Sequence, residues 1–380
     1  MTEFFNKTLF FFPLSILFFC QCQTKIESEG EIMPEFVITD SLFIDYLGQL
    51  SMVDFKEDQS EYLLYDRQRK EFVRVNNKGN ILQTKNLSID GKDYFGTQYL
   101  SINYLPNNQL LFVGSGHFFW YDRELNLIEK KEIPFNIKSI YFSPGHVNLV
   151  QEQRLFTHAY SKDINEASTE KDEFLSSHPF LTVFDFKEEK FVSQDYIPKS
   201  VQMIKSPGKY LDSAPFSLLH NEELYLLFAN SPEIYRYSFP NLELMETIEL
   251  DPGKSTYSQI APLPFENYEG GTFEMVFENS AYFGLFSSNE YLLTGYYGAI
   301  PSDVMEEYNS TATQEAKTII KEKYKIPYYQ IIKEGKKLWE GHLDIQFKNQ
   351  GGRLFADHKL NQPKVEEELD YIPFYFYELR

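Results

Sequence analysis

Five polar residues stand where predicted strands run into loops: Arg154, His158, Arg353, Asp357 and His358. Loops held by a rigid scaffold carry function more often than cores do, so these five are the candidate ligand contacts. If the fold gathered acids and histidines together, glycan or peptide hydrolysis would be the chemistry within reach. Carboxylates are plentiful enough for a catalytic pair, but a sequence does not give the separation that glycoside hydrolysis requires. The plainer expectation for each residue is a solvated charge at a strand end. The seven histidines are scattered (His117, His146, His158, His178, His220, His342 and His358), and none forms H-E-x-x-H or another paired ligand spacing. With no cysteine after Cys22, thiolate zinc sites are excluded as well. No metal and no cofactor is expected, and no residue is assigned a catalytic role.

Three local motifs fail on inspection. Asp251-Pro252-Gly253-Lys254-Ser255 ends like a phosphate-binding loop, but Ile248 occupies the position of the required earlier glycine. Pro262 and Pro264 also bar the helix that would face a phosphate, so the stretch reads as a turn between repeats. Gly114-Ser115-Gly116-His117 lacks the G-x-S-x-G spacing of a nucleophile elbow, and strand sequence follows it rather than a helix. Asp163-Ile164-Asn165-Glu166 opens like a calcium loop without its glycine or its distant bidentate acid.

The chain has 380 residues, with 36 basic and 56 acidic side chains and a formal net charge of −20. That balance opposes binding to a phosphate backbone, which needs basic patches that release counterions, so no nucleic-acid partner is expected. Both cysteines close an apolar run, Thr8–Phe19. The run is too short to cross a bilayer of about 30 Å but suits a signal-peptide core. Cysteine at the end of such a core resembles a bacterial lipoprotein signal, in which the cysteine is lipidated. Leu17 suits Cys20 as the site, though Phe19 before it is bulky. Gln21 before Cys22 is smaller, and Cys22 is preferred. The expected organisation is a signal peptide over 1–22, a tether over 23–34 and a single domain over 35–380.

The elements that must position any site repeat. Tyr62–Leu87, Leu110–Ile133, Phe180–Val192 and Glu223–Glu246 each join an apolar strand, a charged turn and an alternating strand. Landmarks at Asp66, Asp122, Asp185 and Tyr237 recur every 50 to 60 residues or so, the period of a propeller blade. Aromatic content of 17% suits strands. About 345 residues at about 55 each give six blades, with five or seven as the neighbouring solutions. The fold expected is all-β, a β-propeller of four-stranded antiparallel sheets. Glu35–Tyr46 and Tyr371–Leu379 are expected to share one blade and lock the ring. One short helical insertion is predicted over Ser302–Lys325, with Thr311 and Gln314 spaced as a capping box and Pro327 as its stop.

Together the lipoprotein-like start, the cysteine-free body and the turns Tyr65-Asp66-Arg67 and Tyr121-Asp122-Arg123 resemble an uncharacterised domain-of-unknown-function family of Bacteroidota lipoproteins related to six-bladed propellers. The resemblance implies an outer-membrane-anchored protein of the bacterial envelope, periplasmic or surface-exposed, and supplies no catalytic residues. A monomeric, non-enzymatic propeller is expected, tethered to the membrane by its lipid and binding an unidentified ligand or envelope protein. The alternatives are a propeller enzyme acting on glycans or peptides and a structural subunit of an envelope assembly.

Overall fold

The second and third strands of the predicted units read as near-continuous apolar runs because both faces of each sheet are covered by neighbouring sheets. This is seen in the computed structural model, which describes residues 34–96, 99–114, 116–137, 149–151, 153–164, 172–210, 214–253, 256–259, 261–265, 276–310, 313–350, 353–360 and 370–380. The signal, the tether, Cys20 and Cys22 lie outside the described residues.

The first strand is β1 (Phe36–Ile44). Blade 1 follows as β2 (Leu50–Phe55), β3 (Glu61–Asp66), β4 (Glu71–Asn76) and β5 (Ile81–Lys85). Blade 2 is β6 (Tyr99–Tyr104), β7 (Leu110–Gly114), β8 (His117–Tyr121) and β9 (Leu127–Glu132). In blade 3 the short strands β10 (Asn136–Ile137) and β11 (Leu149–Gln151) both pair with β12 (Arg154–Tyr160), together taking the inner position. Helix α1 (Asp172–Ser177), β13 (Leu181–Asp185) and β14 (Lys190–Asp195) complete it. Helix α2 (Gln202–Lys205) leads to blade 4, formed by β15 (Phe216–His220), β16 (Glu223–Leu227), β17 (Glu233–Ser238) and β18 (Leu244–Glu249). Blade 5 contains β19 (Ala281–Ser288) and β20 (Tyr291–Tyr297), then the helices α3 (Ser302–Ser310) and α4 (Gln314–Tyr324), then β21 (Pro327–Lys333) and β22 (Lys336–His342). Blade 6 runs β23 (Lys348–Gln350), β24 (Arg353–Ala356) and β25 (Ile372–Leu379), and β1 returns as its outer strand. The first and last strands therefore share a blade, as expected, and six four-position antiparallel sheets close a propeller. The inner strands touch around the ring: β2 lies beside β6 and β23, and β19 beside β15 and β23.

The core is six interfaces, one between each pair of neighbouring blades. Phe72, Phe112 and Tyr121 fill the interface of blades 1 and 2, for instance, and Tyr62, Val73 and Phe376 that of blades 6 and 1. Fully burying one such ring contributes about 1.5–3 kcal/mol, which explains the use of so many aromatic residues. A seventh, smaller cluster (Phe277, Ile300, Met305, Tyr308 and Ile320) packs the helical pair α3 and α4.

Every outer strand carries one extra residue in its pairing with the third strand of the blade. The extra residues are Thr39, Leu82, Ile128, Val192, Met245 and Leu338. A bulge of this kind bends and twists the strand, which blunts six open sheet edges against pairing with another chain. Five of the extra side chains, Thr39, Leu82, Ile128, Val192 and Met245, are exposed.

One expectation is corrected. Asp66 ends the second strand of its blade, whereas Asp185 ends a third strand and Asp122 directly follows one, so the landmarks are not equivalent positions. They look alike because each Asp side chain accepts backbone N–H groups two to four residues on, from Gln68 and Arg69, from Asn126, and from Lys187 and Glu188. The helical insertion expected over Ser302–Lys325 is present as the two helices α3 and α4, and α1 and α2 are further short ones. Thr313 caps α4 by accepting the Ala316 N–H at 3.3 Å; Thr311 lies outside the described residues.

Candidate functional site

Because neighbouring strands are antiparallel, two kinds of connection leave each blade at one end: second strand to third, and outer strand to the next blade. The long connections between paired strands and between blades are of these two kinds: residues 86–98, 161–180, 196–215, 250–280, 298–326 and 357–371; residues 138–148, between β10 and β11, lie outside the described residues. At the opposite end the links are tight, as in 56–60, 77–80, 105–109, 122–126, 186–189, 221–222, 239–243, 289–290 and 334–335. There β1 enters and β25 leaves, with Glu35 and Arg380 exchanging two backbone hydrogen bonds of 3.0 Å.

Two of the long connections meet between blades 4 and 5. Lys209 and Leu263 bond each other's backbones, N–H to carbonyl, at 2.8 and 3.3 Å. Gln259 Nε2 donates to the Asn230 carbonyl at 2.8 Å and to the Tyr257 hydroxyl at 2.7 Å. Gln202 N–H, at the start of α2, donates to Ser231 Oγ at 2.7 Å. Four tyrosine rings lie at this seam. Tyr257 is 5.8 Å from Tyr282 and 5.3 Å from Tyr296 between ring centroids, and Tyr328 stacks on Tyr296 at 5.5 Å. Burial, first of all, pushes the Tyr257, Tyr282 and Tyr296 hydroxyls up well beyond the ordinary phenol range, so they stay protonated.

Two carboxylates at the long-connection end, Glu340 of blade 5 and Glu233 of blade 4, are treated differently by their surroundings. Glu340 Oε1 accepts from Tyr296 at 2.6 Å and from the Gly253 N–H at 2.8 Å. Its Oε2 accepts from Gln330 Nε2 at 2.9 Å and Lys337 Nζ at 2.8 Å. Burial raises this carboxyl, but the donors outweigh burial and hold it below its ordinary value, an anion with its acceptors filled. Glu233, at the start of β17, is under-satisfied. Its Oε1 lies 3.9 Å from Lys205 Nζ, and its Oε2 is shielded from solvent and accepts no hydrogen bond. Burial pushes the Glu233 carboxyl up, against the pull of Lys205. Protonated phenols and one carboxylate with unused acceptor capacity can recognise a ligand; they do not form a nucleophile with its base. Among the described residues no group of three or more His, Cys, Asp or Glu side chains could hold a metal ion.

The structure does not bring the five residues singled out from the sequence into one place. Arg154 begins β12 at the tight-turn end and lies 3.7 Å from Asp185. His158, further along β12, is buried, its ring stacked on Phe180 at 5.5 Å. Arg353 begins β24, also at the tight-turn end, and donates to Tyr62 OH at 3.0 Å. Asp357 and His358 follow β24 at the long-connection end, with Asp357 Oδ1 2.7 Å from His358 Nδ1. Sequence reading missed Glu233, Tyr257, Tyr282 and Glu340, which lie on different strands and loops and share no local motif. Asp251-Pro252-Gly253 does lie between blades, as its sequence suggested, and Gly253 turns its N–H to Glu340 rather than to a phosphate. Lys254, Ser255 and Ser115 lie outside the described residues. No helix among the described residues is long and apolar enough to cross a membrane.

The sequence matches no family model and no curated protein. The fold is similar to two solved structures. One is a member of the DUF4221 family from Bacteroides vulgatus, with a TM-score of 0.58 and 10% identity over 92% of this chain and 99% of that one. The other is a protein of Bacteroides fragilis, provisionally named an exported protein, with a TM-score of 0.53 and 9% identity over 92% of this chain and 98% of that one. A domain-of-unknown-function protein is thus among its structural neighbours, as the sequence resemblance implied, and at these identities what this chain shares with them is the six-bladed propeller fold.

Proposed function

We propose that this chain is a non-enzymatic, membrane-tethered propeller of the bacterial envelope that binds a ligand or protein partner at its long-connection end. The observation that carries this reading is the asymmetry of the connections: tight turns at one end of the blades, and six long segments at the other. Elaborated loops on a closed, rigid ring are the usual means by which such scaffolds recognise partners. The exported designation of the Bacteroides fragilis neighbour supports an envelope location. Lipidation at Cys22 or Cys20 would anchor the domain through residues 23–34, a span of about 40 Å at full extension. The first described strand enters at the tight-turn end, where Glu35 pairs with Arg380.

The test is hydrogen–deuterium exchange on the protein with oligosaccharides, peptides and divalent metals, read alongside turnover of each compound. Protection confined to residues 196–215, 250–280 and 298–326 is the expected result. Turnover abolished by a single substitution would overturn the non-enzymatic reading, and protection only at the tight-turn end would overturn the choice of surface. Mass spectrometry of the mature N-terminus tests the anchor; an unmodified start beyond Cys22 would rule it out.

A further inference from the structure

We infer that Glu233 is the anchoring carboxylate of a site for an ammonium or guanidinium group, at the long-connection end of blade 4. The inference rests on reading the long-connection end as the recognition surface and names the chemistry that this part of the surface accepts.

Glu233 Oε2 is removed from water and accepts no hydrogen bond. Leaving a buried polar atom unpaired costs on the order of 1–3 kcal/mol, so native proteins rarely do so without a use for it. Among the described residues the cation beside it is Lys205, whose Nζ stands at 3.9 Å from the other oxygen, beyond hydrogen-bonding distance. Lys205 is itself 52% exposed, and can swing into solvent when a better donor arrives. The Glu233 side chain is 17% exposed, so the carboxylate is not sealed off.

The surroundings choose the sign of the ligand. The charge of Glu233 is felt by the hydroxyls of Tyr235, Tyr257 and Tyr282, and burial keeps all three protonated. None of those hydroxyls donates to Glu233: Tyr282 donates to Gln330, Tyr257 accepts from Gln259, and Tyr235 pairs with Ser200. An unfilled carboxylate attracts a nitrogen cation through charge-assisted hydrogen bonds. Glu249, opposite Glu233 on β18, adds a second negative charge and disfavours anions further. The ligand class is therefore a lysine or arginine side chain, or a small organic cation.

The probes are the tripeptide amides Ala-Arg-Ala, Ala-Lys-Ala and Ala-citrulline-Ala, titrated against the full chain at neutral pH by calorimetry and by hydrogen–deuterium exchange. The arginine and lysine peptides are expected to bind with protection at residues 228–233 and 256–259, and the neutral citrulline peptide at least tenfold more weakly. Glu233→Gln, which keeps the shape and removes the charge, is expected to weaken cation binding tenfold or more with an unchanged melting temperature. Lys205→Met removes the competing cation and is expected to strengthen it. Equal binding of the citrulline peptide, equal binding by Glu233→Gln, or no binding of either cationic peptide at millimolar concentration would overturn the inference. If other compounds still protect the long connections while these peptides fail, the proposed function survives without this site. If nothing protects that end, both fall.

Discussion

The guanidinium carbon of Arg353 lies 3.8 Å from the centroid of the Phe376 ring, on the blade that closes the propeller. Phe376 belongs to β25 and pairs with Asp40 of β1, so the cation sits at the point where the two ends of the fold meet. Arg353 also reaches Asp40 at 3.6 Å and donates across to Tyr62 of blade 1. It ties three strands of the closure together. Arg353→Ala is expected to lower stability by about 1–2 kcal/mol, measured by denaturant unfolding. Arg353→Lys should recover little of this, because an ammonium lacks the planar fork and its stacking.

Glu61 joins blades 1 and 2 through a buried ionic cluster. Its carboxylate accepts from Arg74 Nε at 2.7 Å and Arg123 Nη2 at 2.8 Å, with Tyr104 OH at 3.1 Å. Burial pushes the carboxyl up, but the two guanidiniums and Lys56 outweigh burial and hold it down at about 2. With the folded value below the ordinary one, stabilisation is complete above the ordinary carboxylate range and lost as pH falls through that range toward 2. The shift corresponds to roughly 3 kcal/mol. Glu61→Gln should lose that segment of the acid-unfolding curve. Glu61→Ala should cost about 3–5 kcal/mol at neutral pH, because Arg74 is left buried and unpaired.

Lys325, just beyond α4, turns its ammonium inward onto the Asn279 carbonyl at 2.9 Å. Burial pushes its pKa down to about 8. Between pH 8 and the ordinary lysine range the unfolded chain holds a proton that the folded chain has released, so this group makes stability rise with pH there. Below pH 8 the fold carries the full cost of the buried charge. Lys325→Met is expected to melt higher than the natural protein at pH 7, with the difference shrinking as pH rises from 8 to 10. A constant difference across that range would show that the charge is not the cause.

Gly79 stands in the turn between β4 and β5 with φ of +79°, and a Cβ there would lie 1.9 Å from the Phe43 carbonyl oxygen of β1. Both the left-handed backbone and the close approach of the closing strand require glycine. Gly79→Ala should destabilise by more than the 1 kcal/mol usual for a strained turn, because β1 must move. Thermal unfolding measures it, and a loss below 0.5 kcal/mol would show that β1 yields easily.

Much of the architecture was legible in the residues. The apolar middle strands, the turn chemistry of Asn76–Asn80 and the aromatic first and last strands each follow from local preferences that survive folding. The blade count followed from their period. The register of the repeat was misread at Asp66 because Asp-capped turns close different strand pairs with the same local chemistry, and only the pairing partners tell them apart. The candidate seam was not legible at all. Gly253 and Glu340 are 87 positions apart, and the tyrosines that surround them look like any other strand tyrosine.

The chain by itself determined that this protein is built from repeated antiparallel sheets, that its cysteines lie together near its start, and that its ends return to each other. Those properties are set by side-chain alternation, turn residues and composition, which act over a few neighbours. Only the tertiary structure decided that the long connections share one end, that Glu340 is filled with donors while Glu233 is left short of one, and that Arg353 locks the ring. These depend on contacts between segments tens to hundreds of residues apart, where burial and the supply of donors are fixed by how whole blades pack.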